Sequence, residues 1–189
     1  MLDAALEIAA EHGLAGVTMA AISARMKVSR PVIYDCYPSR GDVLAALLER
    51  ETDVALTRLL AILPPFRTDS VEQMFVDGFR SLLADVGERP ASWRIIFADD
   101  PDPILAEAVS RGRGQVAAQV EVVMRPLFER RGVDDIEHVL VALTEVFVGI
   151  CEAAVRMMLD SQSPWDPEVL ADIVGRAAYR ATRATATKK

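Results

Sequence analysis

Histidine and cysteine are scarce in this chain of 189 residues, with two of each. His12 and His138 stand on different segments, and most of the sequence separates Cys36 from Cys151. No Cys/His cluster has metal-site spacing, and the chain holds no G-x-S-x-G, no P-loop and no G-x-G-x-x-G after a strand. The expectation is therefore a protein that is not an enzyme, with no catalytic residues, no metal and no cofactor. Aromatic residues make up only 6% of the chain. Ala, Leu, Val and Met carry the apolar content, a mix that favours helix over sheet. Strand-like alternation and Asn-Gly hairpin signals are missing. No uninterrupted apolar run reaches the roughly 18 residues of a membrane span, and no basic segment followed by an apolar core opens the chain as a signal peptide would. Two distant cysteines fit a reduced compartment, with a disulfide as the alternative. A cytoplasmic protein without a membrane partner is expected.

What the chain does have is core material and acid. Apolar residues are 51% of the total and the net charge is −7, so the length fits one large domain or two small ones. The charge is unevenly spread. Residues 1–24 carry Asp3, Glu7 and Glu11 and no Lys or Arg. Residues 25–40 carry Arg25, Lys27, Arg30 and Arg40 against Asp35 alone. This local cluster is either a nucleic-acid footprint or simply a solvated basic surface.

The cluster coincides with a helix-turn-helix pattern. Leu2, Ala5, Leu6 and Ala9 form one stripe of a helix over 1–12 that Gly13 ends. Thr18 is an N-cap, followed by Met19, Ile22 and Met26 at helical spacing. A turn at Lys27-Val28 leads to Ser29, a second N-cap, with Pro31 in the first turn. The helix over 30–36 must stop before Pro38. Ser39 then caps a long helix that reaches residue 63, where Pro64-Pro65 break it. Further helices are expected over 69–87, 90–98, 103–131, 134–160 and 167–185. A short third helix after a tight turn suits a probe of the DNA major groove, with Val28 and Ile33 packed on Ile22 and Met26. The Ser29 and Ser39 caps would leave helix N-termini that can accept phosphates. A generic three-helix bundle shows the same pattern. The fold class is all-α: a helix-turn-helix DNA-binding domain over 1–48, and a larger helical ligand-binding and dimerisation domain over 49–189.

Residues 1–48, "MLDAALEIAAEHGLAGVTMAAISARMKVSRPVIYDCYPSRGDVLAALL", resemble the N-terminal domain of the tetracycline-repressor (TetR) family of bacterial transcriptional regulators. Leu2, Ala4, Ala5, Gly13, Thr18, Ile22, Val28, Ser29, Ile33, Tyr34, Pro38 and Ser39 fall in step with the family pattern. The resemblance implies that Thr18 and Tyr34 contact phosphates, with Arg40 replacing the usual Lys in that role. It implies that Arg30, Pro31 and Val32 face bases beside Ser29. Arg30 would read guanine if its head reaches the groove and otherwise contact phosphate, and Pro31 and Val32 would offer only apolar contacts, for instance to a thymine methyl. The chain departs from the pattern at several points. Lys27 stands where Gly is preferred, Met26 where a small residue is, and Tyr37 where a core Phe is. Asp35 and Cys36 replace His and Tyr; Asp35 is unfavourable near phosphates and could accept from a cytosine amino group. The family's basic N-terminal arm is not seen.

The acidic remainder is expected to bind something other than DNA. On 134–160 an apolar seam includes Leu143, Phe147, Ile150 and Ala154, and with Ala178 on the last helix it fits a four-helix dimer interface. One thick monomer core is the competing reading. A homodimer would read a palindromic operator in double-stranded DNA. Phe66, Phe75, Phe79, Trp93, Phe97 and Phe147 are candidates to line a cavity for an unknown small-molecule effector, with Glu145 and Arg156 as orienting groups. Ordinary core packing explains such residues too. The expected function is a transcriptional regulator, a repressor released by a small apolar ligand. The alternative is a dimeric helical small-molecule-binding protein that has lost specific DNA recognition.

Overall fold

The structure is a computed structural model that describes residues 1–62, 70–97, 103–160, 162 and 165–183. Among these residues the fold is all helical: α1 (Leu2–Gly16), α2 (Met19–Met26), α3 (Arg30–Cys36), α4 (Arg40–Ile62), α5 (Val71–Glu88), α6 (Pro90–Ile96), α7 (Pro103–Arg131), α8 (Ile136–Leu159) and α9 (Pro167–Arg183). Pro64-Pro65 and Phe66 lie outside the described residues.

Local signals explain most of the boundaries. Thr18 Oγ1 accepts from the Ala21 N–H at 3.1 Å, the N-cap bond expected of it. Ser39 Oγ accepts from the Asp42 N–H at 3.2 Å and donates to the Asp42 carboxylate at 2.7 Å. Ser29 holds the N-cap position of α3, but its side chain makes no capping bond. Its carbonyl accepts from the Val32 N–H at 3.2 Å instead. Gly13 leaves helical geometry as expected, with φ 70° and ψ 175°, and one further helical turn then carries α1 to Gly16. That corner is essentially open to glycine alone.

The chain forms two compact units. The first comprises residues 1–55 and 89–112, so α6 and the start of α7 join the N-terminal helices. Its core gathers Ala5, Ile8, Val17, Met19, Ile22, Ile33, Val43, Leu44, Leu47 and Leu48 with Ile95 and Ala108. Buried Glu51 bridges Arg89, at 2.6 Å, and Arg50, at 2.7 Å, and Arg50 reaches Asp3 at 2.5 Å.

The second unit comprises residues 56–88 and 113–189. α5 lies closest to α9, and the approach is tight: a Cβ on Gly175 would meet Val76 Cα at 2.6 Å. Arg176 binds Glu72 at 2.8 Å and Arg80 binds Glu168 at 2.5 Å across the same pair. Met124, Phe128, Leu140 and Leu143 form a further core between α7 and α8. α8 is long and apolar enough to cross a membrane by length and composition, with mean hydropathy 1.8 over its most apolar window, 33% of which is buried. Glu145 and Glu152 interrupt the apolar run, so no uninterrupted stretch of that length appears in the sequence.

Two glycine substitutions test this geometry. Gly13→Ala forces a Cβ into a glycine-only conformation and is expected to cost about 1–3 kcal/mol. Gly175→Ala must separate α5 from α9, costing about 1–3 kcal/mol by overpacking. Both should appear as lowered midpoints in denaturant unfolding. Unchanged midpoints would contradict the corner at residue 13 and the close approach at residue 175.

Candidate nucleic-acid interface

The interface begins with the turn between α2 and α3. Lys27 adopts a left-handed conformation, φ 56° and ψ 38°, at a cost of about 1–2 kcal/mol for a residue with a Cβ. Three hydrogen bonds offset it. The Lys27 N–H donates to Ala24 O at 3.3 Å and the Val28 N–H to Ser23 O at 3.2 Å, the pairing of a Schellman cap. The Ser23 hydroxyl then donates to Val28 O at 2.6 Å, fixing the exit of the turn.

α3 leaves that turn with one anchor. Ile33 is its only buried side chain, fully covered in the first core. Ser29, Arg30, Pro31, Val32, Tyr34, Asp35 and Cys36 are exposed. Val32 is 47% exposed and Tyr34 50% exposed, high for large apolar bodies. With Ile33 pointing inward, a period of about 3.6 residues sets Pro31 and Asp35 on the opposite, outermost line. Arg30 and Tyr34 flank it on one side, Val32 and Cys36 on the other. Thr18, at the start of α2, is also exposed. Its oxygen is used as a cap, and its hydroxyl proton is available to a phosphate.

The basic cluster is thinner than its sequence count implies. Arg25 reaches back to α1, binding Glu7 at 3.0 Å and Glu11 at 2.5 Å. The hydrogen bond to Arg25 holds the Glu11 carboxyl below its ordinary range, and the bonds to Glu11 and Glu7 raise the guanidinium. Arg40 donates through Nε to Val17 O at 2.8 Å and through NH2 to Leu14 O at 2.9 Å. It therefore secures the last turn of α1 to the start of α4, a role that sequence reasoning did not assign. Lys27 and Arg30 have no ion pair among the described residues, and neither has Asp35.

The other expected sites divide between the units. Phe75, Phe79 and Phe147 come together in the second unit, with centroid separations of 5.8 Å for Phe75–Phe147 and 5.7 Å for Phe79–Phe147. Tyr179, absent from the expected set, joins Phe75 at 6.0 Å; its helical register beside Ala178 was the available signal. Trp93 and Phe97 pair at 6.1 Å in the first unit. Glu145 and Arg156 are exposed on α8 rather than set among the aromatic rings. Glu145 binds Arg113 at 3.2 Å, and Arg156 lies 3.7 Å from Glu152. Leu143, Ala154 and Ala178, expected at a dimer interface, are buried inside the second unit, and Ile150 is half-buried. Helical periodicity marks them as apolar without saying which neighbour covers them. On α8 and α9 the large apolar side chains left exposed are Val141, Val146, Val169 and Ile173.

A three-helix unit that buries one side of its last helix and leaves the rest of that helix open has the geometry of a helix-turn-helix. Residues 1–47 match the family described as bacterial regulatory proteins, tetR family. The full chain resembles a TetR-like transcriptional regulator from Rhodococcus sp. RHA1 with TM-score 0.69 and 20% identity, covering 95% of this chain and 91% of that one. A second transcriptional regulator from Rhodococcus sp. Rha1 gives TM-score 0.76 at 16% identity, over 100% of this chain and 97% of that one. The fatty acid degradation regulator FadR from Bacillus halodurans gives 0.75 at 15%, over 94% and 91%. No curated protein matches the chain. Residues 1–47 thus match the DNA-binding domain of the tetR family, and the chain as a whole shares the fold of these solved regulators.

Two measurements follow from the side-chain environments. Arg40→Ala removes a charged donor from Val17 O and Leu14 O, and is expected to destabilise the protein by about 1–2 kcal/mol in urea unfolding. A variant as stable as the parent would show that these bonds contribute nothing. Burial pushes the Cys151 thiol up to about 12, whereas Cys36 is exposed. Alkylation at pH 8 should label Cys36 and leave Cys151 unmodified until denaturant is added. Equal labelling of both in the native protein would contradict the raised thiol of half-buried Cys151.

Proposed function

We propose that the protein is a homodimeric, cytoplasmic transcriptional repressor. It would bind a palindromic operator in double-stranded DNA through α3 of each protomer and leave it when a small apolar effector binds. In this reading residues 1–48 hold the DNA interface, and residues 49–189 the effector site and the dimer interface. One observation supports it: α3 buries Ile33 alone and leaves Ser29, Arg30, Pro31, Val32, Tyr34 and Asp35 open. A helix of two turns gains little by itself; exposing nearly all of it makes sense if another molecule covers it. In this reading Thr18 and Tyr34 contact phosphates, with Arg40 beside them. Base contacts are assigned to Arg30, Pro31 and Val32.

The second unit supports the remaining elements. Val141 and Val146 on α8 and Val169 and Ile173 on α9 leave large apolar side chains in solvent on two neighbouring helices, a surface that a second copy of the chain would cover. Phe75, Phe79, Phe147 and Tyr179 provide an apolar environment for an effector. One turn before Phe147, the buried Thr144 hydroxyl has no hydrogen-bond partner, a group that a polar atom of that effector would satisfy.

Selection of bound sequences from random double-stranded DNA tests the reading. The expected product is a palindrome whose half-sites lie about one helical turn apart or slightly more. A library that enriches no motif would favour a small-molecule-binding protein without DNA recognition. Sedimentation tests the assembly. Val146→Glu and Ile173→Glu should give folded monomers with weakened operator binding. Wild-type protein that sediments as a monomer at micromolar concentration would exclude the dimer.

A further inference from the structure

An aspartate at the centre of a DNA-facing surface is electrostatically out of place, and Asp35 holds that position. It lies with Pro31 on the line opposite buried Ile33, is exposed, and has no hydrogen bond or ion pair among the described residues. No neighbouring base of the protein answers its charge: Arg25 is committed to Glu7 and Glu11, and Arg40 donates to the Val17 and Leu14 carbonyls. Arg30 is one residue beyond the i+4 spacing that would pair it with Asp35 on a helix.

Resting on the operator-binding reading above, we propose that Asp35 is a specificity-determining residue that selects cytosine in each half-site by accepting a hydrogen bond from its 4-amino group. The choice of base follows from the edges that the major groove displays. A carboxylate accepts and cannot donate. Guanine offers it N7 and O6, both acceptors, and thymine offers O4 and a methyl group. Adenine offers a 6-amino donor, but beside the N7 acceptor, which repels a carboxylate. Cytosine alone offers a donor without an adjacent acceptor on its own edge. The same charge repels phosphates, so Asp35 weakens DNA binding wherever this contact is not made. Its contribution is to discrimination more than to affinity.

The test is selection from random DNA with the wild type, Asp35→Ala and Asp35→Asn, alongside affinities for a non-operator duplex. Asp35 is exposed and its side chain makes no hydrogen bond or ion pair among the described residues, so all three proteins should give the same circular dichroism and nearly the same unfolding midpoint. The wild type should enrich a motif with an invariant cytosine in each half-site, and replacing that C·G pair by T·A should weaken binding about tenfold. Asp35→Ala should lose the preference at that position alone and bind non-operator DNA more tightly. Asp35→Asn should move the preference to adenine, whose N6 and N7 suit a carboxamide. A wild-type motif that Asp35→Ala reproduces at every position would overturn this role while leaving operator binding intact. A wild type that enriches nothing would overturn the operator reading and this inference with it.

Discussion

Burial of the Ile33 side chain is the contact on which the functional surface depends. α3 spans Arg30–Cys36, too short to be stable alone in water, and its capping serine makes no side-chain bond. Its direction and persistence therefore come from packing Ile33, with half-buried Val28 and Tyr37 at the two ends of the helix, against the core built by Ile8, Ile22, Leu44 and their neighbours. A single anchor has a useful consequence. Every other side chain on the helix is left to face outward, so the same constraint that holds α3 also exposes it.

The polar groups around α3 divide the work. Arg25 ties α2 to α1 through Glu7 and Glu11, and Arg40 ties the start of α4 to the carbonyls that end α1. These exposed or half-exposed bonds each contribute modestly, but they act in addition to the shared core and fix the angles at which the helices meet. They also engage two of the four basic residues of 25–40 in contacts within the fold. In the proposed reading, recognition would rest on fewer charges and more on the chemistry of α3 itself, where Arg30, Asp35, Pro31 and Val32 are unlike one another.

Much of the backbone was legible because its signals are local. Thr18 and Ser39 cap, Gly13 turns a corner that needs glycine, and Pro38 forbids a longer α3. The exposed face of α3 followed from one period and one buried isoleucine. What could not be read was the choice among distant partners. Nothing in the string distinguishes Arg25, bound to acids 14 and 18 residues away, from Arg30, which has none. Aromatic residues read as one set were divided, Trp93 and Phe97 going with the first unit and Phe75, Phe79 and Phe147 with the second. On α8 apolar residues occur most of the way round, so the pattern could not tell buried Leu143 and Ala154 from exposed Val141 and Val146.

The central claim is that α3 and the start of α2, rather than the wider acidic surface, meet DNA. The most direct measurement is the change in backbone amide resonances of isotopically labelled protein on adding a selected operator duplex. The account predicts the largest changes at Thr18 and across Lys27–Asp35, with much smaller ones at Ile8 and Leu47 in the core behind them. Changes confined to α8 and α9, or none at Arg30–Asp35 under saturating DNA, would contradict it.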